Sequence, residues 1–324
     1  MRYWIGFVLG LLLGSTPLGA SAEDLANPPP ETPDSQGSTP EAEQEPARTS
    51  PEDAYGIRYA RRRLVMPRGM MRGSFDLVLG SLRGDATATM NFGAAISPAK
   101  YLEVGFSRYR MGSYPNPDLV RAPGGDGLIP IILNGGDAFL ADSGQGRGFG
   151  NMLAYLRVEA PTDRASGTYG QAPSSSIADI AFDFGIVLPT ASNLGVFFGI
   201  PIRAHGGDVF AFDLGFQVNV DNIGEGTDQF TSITLPWNLV FSVTDFLFLK
   251  VNSGFDAIDV SSGRALKTFP FGFGMGGTVS SPRIMADIFA AFSWPALGTI
   301  DLVGSNPDIW TFTIGTNLYS PVLF

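Results

Sequence analysis

The last fifteen residues, WTFTIGTNLYSPVLF from Trp310 to Phe324, alternate between two faces. One face carries a mainly apolar series that begins at Trp310 and ends on the terminal Phe324, and the other carries polar and small residues such as Thr313 and Asn317. A period of two over this length predicts a β-strand with one apolar and one polar side.

The N-terminus has the pattern of an export signal. Arg2 precedes an apolar run over residues 4–13, and small residues at 20–22 close the segment. A run of about ten residues is too short for a bilayer-spanning helix, which needs roughly twenty. We therefore expect residues 1–22 to be a removed signal peptide. The chain holds no cysteine, so disulfides and lipidation at a cysteine are not expected.

Charge is unevenly distributed along the chain. Only 16% of the residues are charged, 44% are hydrophobic, and the mean hydropathy is +0.13. A soluble domain carries about a quarter charged residues. Residues 23–55 hold nine acidic residues against Arg48, a net charge of −8 within the −10 of the whole chain. Because this stretch is also rich in Pro and poor in large apolar residues, we expect residues 23–57 to be a disordered acidic periplasmic tail.

A basic stretch follows the tail and flanks the first predicted strand. Its members are Arg58, Arg61, Arg62, Arg63, Arg68 and Arg72. The simpler interpretation places these arginines at a periplasmic rim, near lipid headgroups or solvent. The alternative is that they hold the acidic tail against the mouth of a barrel.

From Met71 onward the chain reads as short alternating segments separated by turn signals, which is typical of a membrane barrel. Twelve such segments predict an all-β fold, an antiparallel up-and-down transmembrane barrel over residues 58–324, with ten or fourteen strands as alternatives. Tight periplasmic turns are expected at Ser97–Lys100, His205–Asp208, Val243–Asp245 and Ser281–Arg283. The barrel should close on itself, because lipid offers its backbone no other hydrogen-bond partner.

The face opposite the apolar one should line the lumen. Its charged positions are Asp76, Glu103, Arg157, Glu159, Asp179, Asp183, Arg203, Asp213, Lys250, Asp256 and Asp287. These groups either pair into a network that fills a narrow barrel or line a wet lumen. Twelve strands lie between the barrels that side chains fill and those that enclose a channel. In a wet lumen, the excess of carboxylates would favour cations.

A long external connection over residues 112–148 contains an apolar run between glycine pairs. The run is formed by Leu128, Ile129, Pro130, Ile131, Ile132 and Leu133. Leaving it in water would be unfavourable. We expect the loop either to fold into the mouth as a constriction or to pack on the outer leaflet or a partner.

Catalytic chemistry has little support in the sequence. The chain has one histidine, His205, which the alternation places inside the barrel, and no serine lies in a nucleophile motif. The Gly-Asp runs at 124–127 and 135–137 do not recur in tandem, so they do not predict a calcium repeat. We expect no catalytic, cofactor or metal site.

The terminal strand and the repeated alternation resemble bacterial outer-membrane β-barrels of the porin-like type over residues 58–324. The resemblance implies a place in the Gram-negative outer membrane, contact with its lipid and lipopolysaccharide, and a C-terminal signal at Phe324 for the barrel-assembly machinery. It also implies passive passage of small solutes or ions and no nucleic-acid partner. A closed structural or surface-interaction barrel is the alternative, and an outer-membrane lipid hydrolase, which needs Ser, His and Asn together, is a third. The transported solute and the oligomeric state stay open.

Overall fold

The computed structural model describes residues 50–82, 85–108, 129–132, 152–160, 178–188, 194–223, 229–258, 260–262, 266–299, 308 and 310–323. The predicted signal peptide, residues 23–49 of the predicted tail, Leu128, Leu133 and Phe324 lie outside these ranges. The chain divides into two units, Met1–Pro46 and Ala47–Phe324, and all described residues belong to the second.

The described residues form thirteen strands. These are β1 (Met71–Leu82), β2 (Asp85–Ala99), β3 (Leu102–Arg108), β4 (Ile129–Ile132), β5 (Met152–Glu159), β6 (Ala178–Leu188), β7 (Leu194–Gly206), β8 (Phe210–Ile223), β9 (Phe230–Ser242), β10 (Leu247–Ile258), β11 (Leu266–Ser280), β12 (Met285–Thr299) and β13 (Trp310–Tyr319). Twelve of them pair antiparallel in a ring, in which β5 follows β3 and β1 joins β13 to β2. The predicted twelve-stranded closed barrel is confirmed.

Helices are minor elements. Among the described residues, one short α-helix, α1 (Pro51–Tyr55), precedes the barrel, and turns of 3-10 helix occur at Tyr59–Arg61 and Val260–Ser262. Within the described ranges, no helix has the length and apolar character needed to cross a membrane.

Burial alternates along the strands as the sequence predicts. Phe184 is 49% exposed while its neighbour in the strand, Asp183, is fully buried. Along β13, Ile314 is exposed and Asn317 is buried. The outward face is thus a belt of Phe, Leu, Ile and Val that suits contact with hydrocarbon, and charge is confined to the inside. The chain is therefore a transmembrane barrel of the bacterial outer membrane.

One end of the barrel carries tight connections. The links between β7 and β8, β9 and β10, and β11 and β12 are turns at residues 207–209, 243–246 and 281–284. Gly207 adopts φ +69°, a left-handed conformation that glycine accepts without strain. The start of β1 and the end of β13 lie at the same end, because Arg72 pairs with Tyr319. In bacterial barrels short turns face the periplasm, so this is the periplasmic end.

The apolar run of the long loop lies partly in the barrel wall. Strand β4 pairs antiparallel with the outer half of β2, from Ile132 opposite Thr87 to Ile129 opposite Met90. The periplasmic half of β2 pairs with β3 along the same edge. Strand β4 therefore pairs with that edge of β2 at the point where β3 has ended. Pairing with β2 places one edge of the backbone of Ile129, Ile131 and Ile132 alongside the wall, and a constriction formed by these residues stays a prediction. Leu128 and Leu133 lie outside the described residues.

Residues 50–70, which we call the inner segment, lie inside the barrel rather than beside it. Tyr55, Tyr59 and Met66 are buried, and Met66 packs in one cluster with Leu153 and Val187 of the wall. The prediction of a disordered tail to residue 57 is therefore wrong for residues 50–57. The barrel wall itself begins at Met71, not at residue 58.

Candidate functional site in the barrel lumen

The charged residues predicted to line the lumen all lie on its inner face. Nine of them are buried, namely Asp76, Glu103, Arg157, Glu159, Asp179, Asp183, Arg203, Asp256 and Asp287. Asp213 pairs with Arg203, and Lys250 approaches the inner segment. The structure brings most of them together at the periplasmic end, whereas Asp76 and Asp256 lie farther out, opposite Asn91 and Thr234.

Two arginines of the inner segment bind carboxylates of the wall. Arg62 Nη1 donates to Asp287 Oδ2 at 2.6 Å, and Arg63 Nε donates to Glu159 Oε1 at 2.7 Å. All four side chains are almost fully buried. An unpaired charge would be very unfavourable here, so each partner is needed by the other. The predicted rim position is therefore wrong for Arg62 and Arg63.

Two arginines of the wall bind the inner segment in return. Arg157 holds Asp183 through two bonds of 2.7 and 2.9 Å and donates its remaining Nη1 to the carbonyl of Leu64 at 3.1 Å. Arg203 holds Asp213 in the same bidentate way, at 2.6 and 2.8 Å, and donates to the carbonyl of Arg62 at 2.9 Å. The fixed fork of guanidinium lets one side chain serve a carboxylate and a carbonyl together.

The only histidine of the chain joins the same network. His205 Nδ1 lies 2.9 Å from the carbonyl oxygen of Ala60, and Nε2 lies 2.9 Å from Asp179 Oδ2. The ring therefore contacts a backbone carbonyl of the inner segment on one side and a carboxylate of the wall on the other. His205 thus bridges the inner segment to the wall, and both of its nitrogens are engaged.

Backbone amides and aromatic rings complete the seating of the segment. The amide of Val65 donates to Glu159 at 3.0 Å, and that of Ala60 donates to Ser242 Oγ at 3.2 Å. Tyr59 packs against Phe248 in a tilted arrangement with ring centroids 4.6 Å apart, and Lys250 Nζ lies 3.8 Å from the Tyr59 centroid. Cation–π contacts of this kind are strongest where water is excluded.

Tyr55 and Arg62 keep their ordinary protonation states inside the barrel. Burial raises the pKa of Tyr55 to about 12, so its hydroxyl stays protonated and donates to the carbonyl of Arg63 at 2.8 Å. Burial alone would lower the pKa of Arg62, but the Asp287 carboxylate beside it raises that pKa above its usual value. The segment therefore carries fixed charge into the lumen.

The outer arginines of the segment make weaker, exposed contacts. Arg58 pairs with Asp245, and Arg61 Nε lies 3.3 Å from Asp208 Oδ1. These four residues sit at the turn end and are partly open to solvent, where water and salt screen the interaction. For Arg58 and Arg61 the predicted rim position is correct.

Sequence reasoning missed the inner segment as an internal element. Two signals could have revealed it: Tyr55 and Tyr59 are unusual in an acidic tail, and the apolar run Leu64–Met66 follows the arginines directly. The lumen-facing carboxylates also outnumber the lumen-facing basic residues. This excess indicates that cationic side chains from outside the predicted strands must pair with some of them.

The outer half of the lumen is lined differently: apart from Asp76 and Asp256, most of its described polar side chains are uncharged amides and hydroxyls. Many of their atoms find no hydrogen-bond partner among the described residues. They include Asn219 Nδ2, Ser232 Oγ, Thr234 Oγ1, Asn252 Nδ2, Thr311 Oγ1 and Thr313 Oγ1, and all of these side chains are buried. Asn238 Oδ1 and both amide atoms of Asn317 lie closer to the inner segment and are likewise unpartnered. Buried polar groups in proteins nearly always bind a protein group or an ordered water.

No protein-family model matches the chain, and no curated protein matches it either. Among solved structures, the NanC porin matches 75% of this chain and 98% of its own, at 5% identity and a TM-score of 0.45. An outer membrane channel from Pseudomonas putida F1 matches 79% and 97%, at 10% identity and a TM-score of 0.43. An anion-selective porin from Comamonas acidovorans matches 78% and 98%, at 12% identity and a TM-score of 0.34. The barrel architecture stands on the strand pairing of this chain itself.

Proposed function

We propose that this porin-like outer-membrane barrel lets small solutes or ions pass through a hydrated lumen, at a rate limited by the inner segment. The observation that supports passage is the row of buried, unpartnered amides and hydroxyls in the outer half. A barrel that serves only as a scaffold gains nothing from such groups, because a buried polar atom without a partner is destabilising. Water that satisfies these atoms would also form the medium in which a polar solute moves.

The inner segment sets the narrowest part of this path. It crosses the periplasmic end between Asp287, Glu159 and Asp213, and ion pairs fix it there. Asp183 and Asp213 each share their charge with an arginine, so they supply less cation preference than the sequence alone suggests. We therefore expect a small conductance with weak ion selectivity.

The test is a planar-bilayer recording of the refolded full-length protein, together with a gel that compares boiled and unboiled samples. A folded barrel should migrate differently after boiling and should show small, discrete conductance steps. A barrel that folds by this measure and never conducts, at any voltage that the membrane tolerates, would overturn the proposal.

A closed structural barrel is the second candidate, and the filled periplasmic end favours it. Arg62, Arg63, Arg157, Arg203 and His205 fasten the inner segment on several sides. If that fastening is complete, the barrel contributes to envelope integrity or presents its loops to a partner. The recording above separates the candidates.

Catalysis is not part of the proposal. His205 is the one residue that the lipid-hydrolase alternative would use as its base, and its ring faces the lumen with both nitrogens engaged. Outer-leaflet lipid would meet the opposite face of the wall.

Assembly is proposed to depend on the C-terminus, with the barrel-assembly machinery and lipopolysaccharide-bearing outer-membrane lipid as partners. Leu323 hydrogen-bonds Gly69 through its amide at 3.1 Å, so the end of the chain is held beside the inner segment. Deleting Phe324 should lower the amount of inserted protein far more than deleting residues 23–49. Equal losses in a membrane-fraction blot would contradict this proposal.

A further inference from the structure

A continuous row of four uncharged polar residues and one glycine crosses five neighbouring strands on the lumen side. Asn238 of β9 lies opposite Asn252 of β10, Asn252 opposite Gly272 of β11, Gly272 opposite Ser293 of β12, and Ser293 opposite Thr311 of β13. We call this set the amide–hydroxyl row. Adjacent strands lie about 4.8 Å apart, so the row spans roughly 19 Å along the wall.

The row has donors and acceptors that the described residues leave unpartnered. Asn238 uses its side chain to hydrogen-bond Asp213, but its Oδ1 is unpartnered. Asn252 Nδ2 and Thr311 Oγ1 are also unpartnered, and all three side chains are at least nine-tenths buried. The row therefore offers, in order, an acceptor at Asn238, a donor at Asn252 and, at Thr311, a hydroxyl that can donate or accept.

Glycine in the middle of the row keeps the amide of Asn252 in place. A Cβ built on Gly272 would lie 2.7 Å from Asn252 Oδ1 and 3.0 Å from its Nδ2. Any larger residue would therefore push this amide out of position. The close fit allows the amide to be displaced by substitution without removing it.

The composition of the row defines the ligand chemistry. The row itself contains no charged residue, and the charges next to its Asn238 end, Asp213 and Lys250, act on each other. A charged solute would therefore lose hydration with little compensation along the row. A solute that carries many hydroxyls can donate and accept at successive positions. Hydrogen-bonding sites of this kind reject solutes that cannot pair with their buried polar groups.

We propose that the amide–hydroxyl row binds a neutral, hydroxyl-rich solute such as a sugar or sugar alcohol. The inference rests on the proposed hydrated lumen and names the solute class that this lumen would pass. Asn238 Oδ1 accepts a hydrogen bond from a solute hydroxyl, and Asn252 Nδ2 donates one to a hydroxyl oxygen. The Thr311 hydroxyl can donate or accept. The ion-paired half contributes only through Asp213, which orients the amide of Asn238 by accepting its hydrogen bond.

The experiment measures binding and conduction separately on the refolded full chain. Glucose, sorbitol and gluconate are titrated into the detergent-solubilised barrel by isothermal titration calorimetry, and ion conductance is recorded in planar bilayers. We expect glucose or sorbitol to bind at millimolar concentration and gluconate to bind at least tenfold more weakly. The double variant N238A/N252A should lose at least tenfold in affinity for the neutral probes, and Gly272→Ala should lose affinity as well. Asn317→Ala removes a matched lumen amide outside the row and should bind the probes normally.

The outcomes separate this inference from the proposed function. Ion conductance without heat from glucose or sorbitol overturns the row as a binding site and leaves passage intact. Binding without ion conductance overturns the proposed function and keeps the site. Equal binding of gluconate, or equal loss of affinity in Asn317→Ala, overturns the assignment to neutral solutes at this row. A boiled-versus-unboiled gel verifies that each variant is folded.

Discussion

The two halves of the lumen differ in the hydrogen-bond partners of their buried polar groups. At the periplasmic end, charges of the wall meet charges and carbonyls of the inner segment, as in the Arg62–Asp287 pair and the Arg203–carbonyl contact. In the outer half, amide and hydroxyl atoms such as Asn219 Nδ2 and Thr313 Oγ1 have no hydrogen-bond partner among the described residues. Polar groups of the periplasmic half are hydrogen-bonded mainly by other protein groups, whereas those of the outer half need water or a solute as partner.

We infer from this difference that the periplasmic half limits the ion current and that the outer half determines which solutes bind. A segment fastened by buried ion pairs forms a rigid barrier, because removing either partner leaves the other charge stranded. Unpartnered neutral groups exchange one hydrogen-bond partner for another at little cost. We therefore expect changes in the periplasmic half to alter conductance and stability strongly, and changes in the outer half to alter solute preference.

The largest effect is expected from deleting residues 50–66. The deletion removes Arg62 and Arg63 and releases Asp287 and Glu159 into the lumen, so the periplasmic end opens and gains negative charge. Single-channel conductance should rise several-fold, and the reversal potential in a salt gradient should move toward cation preference. Deleting residues 23–49 is the control and should leave both quantities near their original values. Equal effects of the two deletions would show that the inner segment is not the barrier.

The second effect concerns stability and uses a double-mutant cycle at one buried pair. Arg62→Met leaves Asp287 buried without its cation, a change that typically costs about 3–5 kcal/mol. Asp287→Asn in the same background removes the stranded charge and should recover much of that loss. The temperature at which the folded gel band converts to the unfolded one measures both. Additive losses from the two substitutions would argue against a paired network.

The sequence predicts the wall well and the interior poorly, for a physical reason. Lipid imposes one periodicity on every strand, so single segments such as β6 and β13 reveal their outward faces by themselves. The placement of Asp183 and Asp213 on the inner face follows from the same alternation. Nothing local reveals that the partners of Glu159 and Asp287 come from Arg63 and Arg62, because those pairs join positions that are 96 and 225 residues apart.

The predicted tail and the long loop both show that local sequence does not reveal contacts with distant parts of the chain. Composition assigns residues 50–57 to a disordered stretch, yet Tyr55 is buried by contacts that exist only when the barrel has closed. The alternation of the apolar run at 129–132 is too short to decide between the mouth and the wall. The partner of its backbone, strand β2, is distant in sequence and could not be read from the run itself.

A third, moderate effect tests how tightly the periplasmic half is packed. A Cβ on Gly276 would collide with the Phe248 ring at Cζ, and Phe248 in turn packs against Tyr59. Gly276→Ala should therefore destabilise the barrel by about 1–3 kcal/mol through overpacking. Gly73→Ala is the control, because a Cβ there meets nothing within 4 Å. The gel-shift temperature should fall for the first variant only, and an equal fall for both would mean that the effect belongs to strand glycines in general.

The smallest effect is expected at the outer wall, and the absence of native cysteine makes it measurable. The backbone of position 131 pairs with Ala88 of the wall. We therefore expect a cationic thiol reagent added to Ile131→Cys channels to leave the current unchanged, because a segment paired with the wall stands away from the path of ions. The same reagent should reduce the current of Asn252→Cys channels, whose new thiol replaces an amide of the hydrated outer half. A current change at position 131 that matches or exceeds the change at 252 would return the long loop to the mouth of the barrel and move the barrier away from the inner segment.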